Sequence, residues 1–201
     1  DSSVTLWSDT SITFVVSSTL ASNGGASALE VVAASQADAT PLTFYIYPRI
    51  TDVASIGTNA GREYNASDTG GLIMLSGDHF GSAGTSTILG QSATEHAAVE
   101  SSCTTGGYTS STACYEVPTS ISNSTYTGSV ALTRTSDAKP SNGWGGFRVL
   151  PRIASNTPTS GAVGTVVRVA GDHFCQTGTC PTSGERSTST TNVKFGSTQA
   201  A

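Results

Sequence analysis

The internal repeats of this chain are out of phase with its ends. Tyr47-Pro48-Arg49-Ile50 returns as Leu150-Pro151-Arg152-Ile153, and Leu75-Ser76-Gly77-Asp78-His79-Phe80 returns as Val169-Ala170-Gly171-Asp172-His173-Phe174. Two shorter matches keep the order: Phe14-Val15-Val16 with Tyr115-Glu116-Val117, and Ile88-Leu89-Gly90 with Lys194-Phe195-Gly196. The period is roughly 100 residues, the size of one β-sandwich domain and too long for a solenoid repeat. Residues 48–150 hold one complete unit, residues 1–47 the second half of a unit, and residues 151–201 the first half of one. Thr191–Ala201 placed ahead of Asp1–Val16 reads as an uninterrupted series of strands and turns. The expectation is one complete domain plus two halves that complement each other.

The class is all-β. Short β-branched or aromatic segments at Val4–Trp7, Ser11–Val16, Ala28–Val32 and Leu42–Tyr47 are separated by Ser, Asn, Gly and Asp clusters. The rhythm continues at Gly71–Ser76, Ser86–Leu89, Ala113–Val117, Gly128–Arg134, Phe147–Leu150, Val163–Ala170 and Asn192–Phe195. No segment sustains a helical period over three turns. Pro48 and Pro151 suit the start or edge of a strand, where a missing N–H is tolerated. Many short strands with turn signals between them predict β-sandwiches.

Composition narrows the setting. Only 11% of residues are charged, against about a quarter in ordinary soluble domains, while 36% are hydrophobic. Ser and Thr make up roughly 30%, so the surface is solvated by hydroxyls, or by sugars attached to them. The net charge of −5 and the lack of a basic patch argue against a nucleic-acid partner, whose phosphates need clustered Lys and Arg. The longest apolar runs, Gly71–Leu75 and Thr165–Ala170, are far short of a membrane span, so no membrane insertion is expected.

Four cysteines form two local pairs, Cys103 with Cys114 and Cys175 with Cys180, each in Gly-, Ser- and Thr-rich sequence. Disulfides there would staple loops with little core of their own, for about 2–3 kcal/mol each in the chain-entropy model. Metal ligation is the rival reading. It is disfavoured because the spacings lack the CxxC or nearby His partners of zinc sites. Disulfides imply an oxidising, extracellular compartment. Asn65-Ala66-Ser67 and Asn123-Ser124-Thr125 are sequons, making Asn65 and Asn123 candidate glycan acceptors.

The pairs Asp78-His79 and Asp172-His173 invite a catalytic or metal reading, since a carboxylate can orient an imidazole. Adjacent residues point different ways, and neither a Gly-x-Ser-x-Gly elbow nor an HExxH helix accompanies them. Their recurrence at equivalent places fits a turn in which Gly supplies backbone freedom and Phe80 or Phe174 plugs the core. No enzyme activity, cofactor or metal is expected. Trp144, between Gly143 and Gly145-Gly146, is placed in a flexible loop. It is a candidate for packing at a domain junction or stacking on a sugar, as are Tyr108 and Tyr126.

The string PRIASNTPTSGAVGTVVRVAGDHF, with NVKFGSTQA and VTLWSDTSITFVV, resembles the IPT/TIG family of immunoglobulin-like domains. The resemblance rests on Pro151, Ile153, Pro158, Gly161, Gly164, Gly171, Phe174, Gly196, Trp7, Ser8, Asp9 and Ile12. It departs from the pattern in the intact unit, where residues 57–70 replace the Pro-x-Ser-Gly turn and no tryptophan precedes Tyr115. The resemblance implies tandem immunoglobulin-like sandwiches acting as a binding or spacer module, with no catalytic residues to carry over. The expected protein is therefore extracellular and structural, the repeating unit of a cell-surface fibre, filament or stalk. Its partners would be copies of itself head to tail, or the continuation of the same polypeptide. The alternative is an adhesin or carbohydrate-binding module that recognises a surface glycan.

Overall fold

In a computed structural model of the chain, the residues described are 3–16, 25–33, 36–37, 40–56, 66–67, 70–96, 107–122, 127–174, 194–195 and 198–199. All regular structure among them is β. Residues 3–46 contribute β1 (Ser3–Trp7), β2 (Ile12–Val15), β3 (Gly25–Leu29), β4 (Val32–Ala33), β5 (Gln36–Ala37) and β6 (Leu42–Ile46). Next come β7 (Arg49–Ile56), β8 (Ala66–Ser67), β9 (Leu72–Asp78), β10 (Gly84–Ile88), β11 (Gln91–Glu95), β12 (Thr112–Glu116), β13 (Thr127–Arg134), β14 (Lys139–Pro140) and β15 (Trp144–Val149). The last are β16 (Arg152–Thr157), β17 (Arg168–Asp172), β18 (Lys194–Phe195) and β19 (Thr198–Gln199).

Strands β7 to β15 make one nine-stranded sheet in the order β7-β9-β12-β11-β10-β13-β15-β8, with β14 beside β13. The remaining ladders among the described residues are two-stranded: β1-β2, β3-β6, β4-β5, β16-β17 and β18-β19. The large sheet curls until β15 lies against β7. There the Asn142 side chain takes the place of a strand partner: its Oδ1 accepts from Ile50 N at 2.7 Å and its Nδ2 donates to Ile50 O at 3.0 Å.

Period-two alternation sends Ile73 and Leu75 of β9, Ala113 and Tyr115 of β12, and Val130 and Leu132 of β13 to one side. With Ile50, Val53, Phe80, Ile88, Phe147 and Val149 they form the core, essentially removed from solvent. Ile56, Cys114, Leu72 and Met74 pack on the opposite face.

Arg134 continues the inward face of β13, and its side chain is fully buried. A buried guanidinium is tolerable only if its donors are used. Nε and Nη2 hold the two oxygens of Asp137 at 2.9 and 2.7 Å, Nη1 donates to His79 O at 2.6 Å, and Nη2 also donates to Ile46 O at 2.7 Å. The hydrogen bonds from Arg134, reinforced by its charge and by Lys139, hold the Asp137 carboxyl below the ordinary carboxylate range, against the opposing effect of desolvation. A carboxyl depressed in the folded state adds stability that is complete above its unfolded value and is lost as pH falls through the folded one. The sheet should therefore lose stability below about pH 4, and Asp137→Asn should flatten that acid limb. Denaturation midpoints from pH 6 to pH 2 measure it; identical slopes would exclude Asp137 as the cause.

Several sequence expectations need correcting. Val163–Ala170 is not one strand: Gly164 turns the chain with φ 92, Val163 and Val166 stand in solvent, and pairing begins only at Arg168. Ala28–Val32 divides into the end of β3 and the start of β4. Trp144 opens strand β15 and does not lie in a loop; the glycines after it form a bulge, with Gly146 at φ 79 and the register against β13 shifting between Gly128 and Val130.

Candidate interaction site

The repeated residues build the same object twice. In the β7-β9 ladder Arg49 faces Asp78 and Ile50 faces Gly77, and the register shifts before Asp52. In the β16-β17 ladder Arg152 faces Asp172 and Ile153 faces Gly171, and the register shifts before Ser155. His79 and His173 then take left-handed conformations, φ 60 and 57. The glycines do not supply that freedom, contrary to the reading from sequence. Gly77 and Gly171 are the next-to-last residues of their strands, and what forbids a side chain there is space. A Cβ would collide with the carbonyl oxygen of Arg49 or Arg152, and would lie 2.8 or 2.7 Å from the Phe80 or Phe174 ring carbon Cζ.

The two hairpins differ in what covers them. Ile50 is 1% exposed beneath the curled sheet, whereas its counterpart Ile153 is 65% exposed. Phe80 is fully buried and Phe174 only partly. The strands of residues 3–47 show the converse. The antiparallel β3-β6 pair holds the same place relative to the repeated Pro-Arg-Ile as the antiparallel β13-β15 pair, each leading into it. Phe44 is thus the counterpart of core residue Phe147, yet Phe44 is exposed, as are Leu6, Val15 and Leu42. Ile12, Phe14, Leu29, Val31 and Val32 line an open groove of about 620 Å³ whose rim carries Asp9 and Glu30. The buried apolar side chains among the described residues fall within 48–149, and every large exposed hydrophobic one lies outside residues 48–149.

The two flanks are tied to the sheet at their junctions. Lys139 Nζ sits 4.0 Å from the Tyr45 ring centroid and 5.8 Å from that of Tyr47, and Arg134 grips the carbonyl of Ile46 between them. After β15, Arg152 reaches back beside Gly70 and Glu116.

Tyr108 is partly buried and packs against the core. Its ring lies 6.5 Å from that of Phe80, and its hydroxyl donates to Phe80 O at 2.8 Å. Tyr108 bridges Ala113 as Trp7 pairs with Ile12, five residues apart in each case. In that register Tyr108 holds the position that Trp7 holds in the β1-β2 pair. Burial raises the hydroxyl pKa of Tyr108 and of Tyr115, whose OH donates to Gly84 O at 3.0 Å; Glu95 adds to the first shift and Tyr108 to the second. Trp144 is half-buried against the core, with its indole N–H lacking a hydrogen-bond partner. Cys114 is buried and disulfide-bonded. Cys103, Cys175, Cys180, Asn65, Asn123 and Tyr126 lie outside the described residues. Asp78 is exposed at the end of β9, and no group of three or more potential metal ligands occurs among the described residues. No helix among them is long and apolar enough to cross a membrane.

No family model matches the chain, and no curated protein matches it. Among solved structures, an auxiliary nutrient binding protein from Bacteroides thetaiotaomicron is similar over 54% of this chain and 22% of its own, with 16% identity and a TM-score of 0.38. The match thus spans less than a quarter of that protein, and a likeness of this degree carries no argument about fold or function.

Proposed function

We propose that this chain is the repeating unit of an extracellular structural fibre, built from tandem immunoglobulin-like units of IPT/TIG type. Residues 48–150 form a complete unit, and residues 1–47 and 151–201 are halves completed by neighbouring copies, whether as separate chains or along one polypeptide. The observation that carries this reading is the hairpin that occurs twice in one register, covered in β7-β9 and bare in β16-β17. Apolar faces and open strand edges of this extent are costly in water and are ordinarily covered by a partner. A head-to-tail contact of this kind does not close on itself, so it propagates into a filament.

The role is mechanical. Junctions held by Arg134, Lys139 and the paired tyrosines limit swivel between successive units, while hydroxyl-rich outer faces keep the fibre solvated. The adhesin alternative is less well supported at Tyr108, because that side chain is partly buried against the core with its hydroxyl bonded to Phe80 O.

The test is twofold. The 20.3 kDa chain at micromolar concentration should sediment as a ladder of oligomers and form filaments visible by negative-stain electron microscopy. A folded, monodisperse monomer would overturn the proposal. The denatured, reduced and deglycosylated mass of native material then separates the two arrangements: near 20.3 kDa for discrete subunits, several times larger for a continuous array.

A further inference from the structure

The intact unit also specifies how a second copy would dock. Its two halves meet through the short parallel β8-β15 pair and through three antiparallel ladders: β9 with β12, β11 with β12, and β10 with β13. The bare elements supply a counterpart for each member of the three antiparallel ladders. β17 matches β9 through the Gly-Asp-His-Phe turn. The β18-β19 pair matches β10-β11, since Phe195 pairs with Thr198, with two residues between them in sequence, as Ile88 pairs with Gln91. β2 matches β12, because Trp7 and Ile12 take the places of Tyr108 and Ala113. β3 matches β13. The β18-β19 match places Phe195, not Lys194, in the register position of buried Ile88, one residue from the alignment given by sequence alone.

Resting on the fibre reading, we propose that β2 of a second copy of this chain inserts between β17 and β19, in the register that β12 keeps between β9 and β11. Leu75 pairs with Ala113 and Met74 with Cys114 in the intact unit, so Val169 pairs with Ile12 and Arg168 with Thr13 across the contact. Trp7 takes the register place that Tyr108 holds beside Phe80. Phe195 pairs with Leu29, which lines the open groove, as Ile88 pairs with Val130. The groove of Ile12, Phe14, Leu29 and Val31 is thus the acceptor for the face that carries Val169 and Ile153.

Charge supports the same partner. Residues 1–47 contain four acids (Asp1, Asp9, Glu30, Asp38) and no Lys or Arg. Residues 151–201 contain four bases (Arg152, Arg168, Arg186, Lys194) against two acids. Opposite halves attract and like halves repel, which selects the head-to-tail pairing over head-to-head. His173 is buried with neither ring nitrogen hydrogen-bonded, the kind of orphan that an unfinished unit leaves.

Cross-linking tests the register on the full chain. Thr13→Cys and Arg168→Cys are made as separate proteins and mixed under oxidising conditions. Directly opposed strand residues lie within disulfide reach. The mixture should give a species of twice the 20.3 kDa chain mass, joined between positions 13 and 168 by peptide mass spectrometry and absent from either protein alone. Thr13→Cys with Ala170→Cys, two residues out of register, should give at least about tenfold less, because diagonal neighbours sit about 7–8 Å apart. Equal yields from both pairs would overturn the register. Polymers without the 13–168 link would overturn this docking and leave the fibre standing. Chains that neither link nor polymerise would remove both.

Discussion

Arg134→Ala should lower the stability of the nine-stranded sheet by about 3–5 kcal/mol, the cost of breaking a buried ion pair from one side. With a urea dependence of about 1–3 kcal/mol per molar, the midpoint should fall by more than about 1 M. The loss has separable parts. Asp137 keeps its charge with no guanidinium, and the carbonyls of His79 and Ile46 lose their donor in a part-buried region. Arg134→Lys keeps the charge but not the two-pronged grip on Asp137, so it should recover only part of the loss. Arg134→Met combined with Asp137→Leu should be milder than Arg134→Ala alone, because no unpaired charge is left behind. Should Arg134→Ala shift the midpoint by less than about 0.3 M, the four hydrogen bonds at this side chain would not be holding the sheet. The same substitution frees the Ile46 carbonyl at the junction, so it should also make filaments more flexible.

How far the fold could be read from the residues depended on whether local periodicity survives into the structure. The strands β2, β6, β9, β12 and β13 keep strict alternation or a β-branched run, and they fall close to where the pattern put them. β7 escaped notice because its apolar residues, Ile50, Val53 and Ile56, are spaced by three. The bulge between Ile50 and Asp52 brings Ile50 and Val53 onto one face, and nothing in a period-two pattern announces a bulge. β11, Gln91–Glu95, has no apolar alternation at all and is recruited by its neighbours. Trp144 was misplaced for a related reason, since Gly145-Gly146 signals both a loop and a bulge.

The candidate site was legible only through the repeat. Matching strings identified equivalent positions, but sequence could not show that Ile50 is covered and Ile153 is not. Arg134 gave no sign beyond an aspartate three residues later, and its role depends on carbonyls 55 and 88 residues away in sequence. The weight given to glycine at the repeated turn was right in place and wrong in mechanism. That error matters, because steric and conformational requirements predict different consequences of substitution.

Gly77→Ala and Gly171→Ala make the same local change and should have different global effects. At either site the new methyl group meets a backbone oxygen, that of Arg49 or Arg152, which moves only by opening the ladder it belongs to. At Gly77 the strain falls inside the nine-stranded sheet, against fully buried Phe80 and beside Ile50. The cost there should reach at least about 3 kcal/mol, the upper end of ordinary overpacking, because the clashing atom is backbone and cannot rotate away. That is a large fraction of the roughly 5–15 kcal/mol that holds a domain together, so much of the protein should be unfolded at 37 °C. At Gly171 the strained ladder is β16-β17, which lies outside that sheet. The sheet's denaturation midpoint should be unchanged within about 0.5 kcal/mol, while the docking face is distorted and assembly fails. Circular dichroism melts paired with sedimentation velocity separate the two readouts. Loss of assembly without loss of the melt, at Gly171 alone, is the signature of a half-unit whose fold is completed only by its neighbour. If Gly171→Ala assembles as the parent chain does, the β16-β17 hairpin is not the surface on which one copy joins the next.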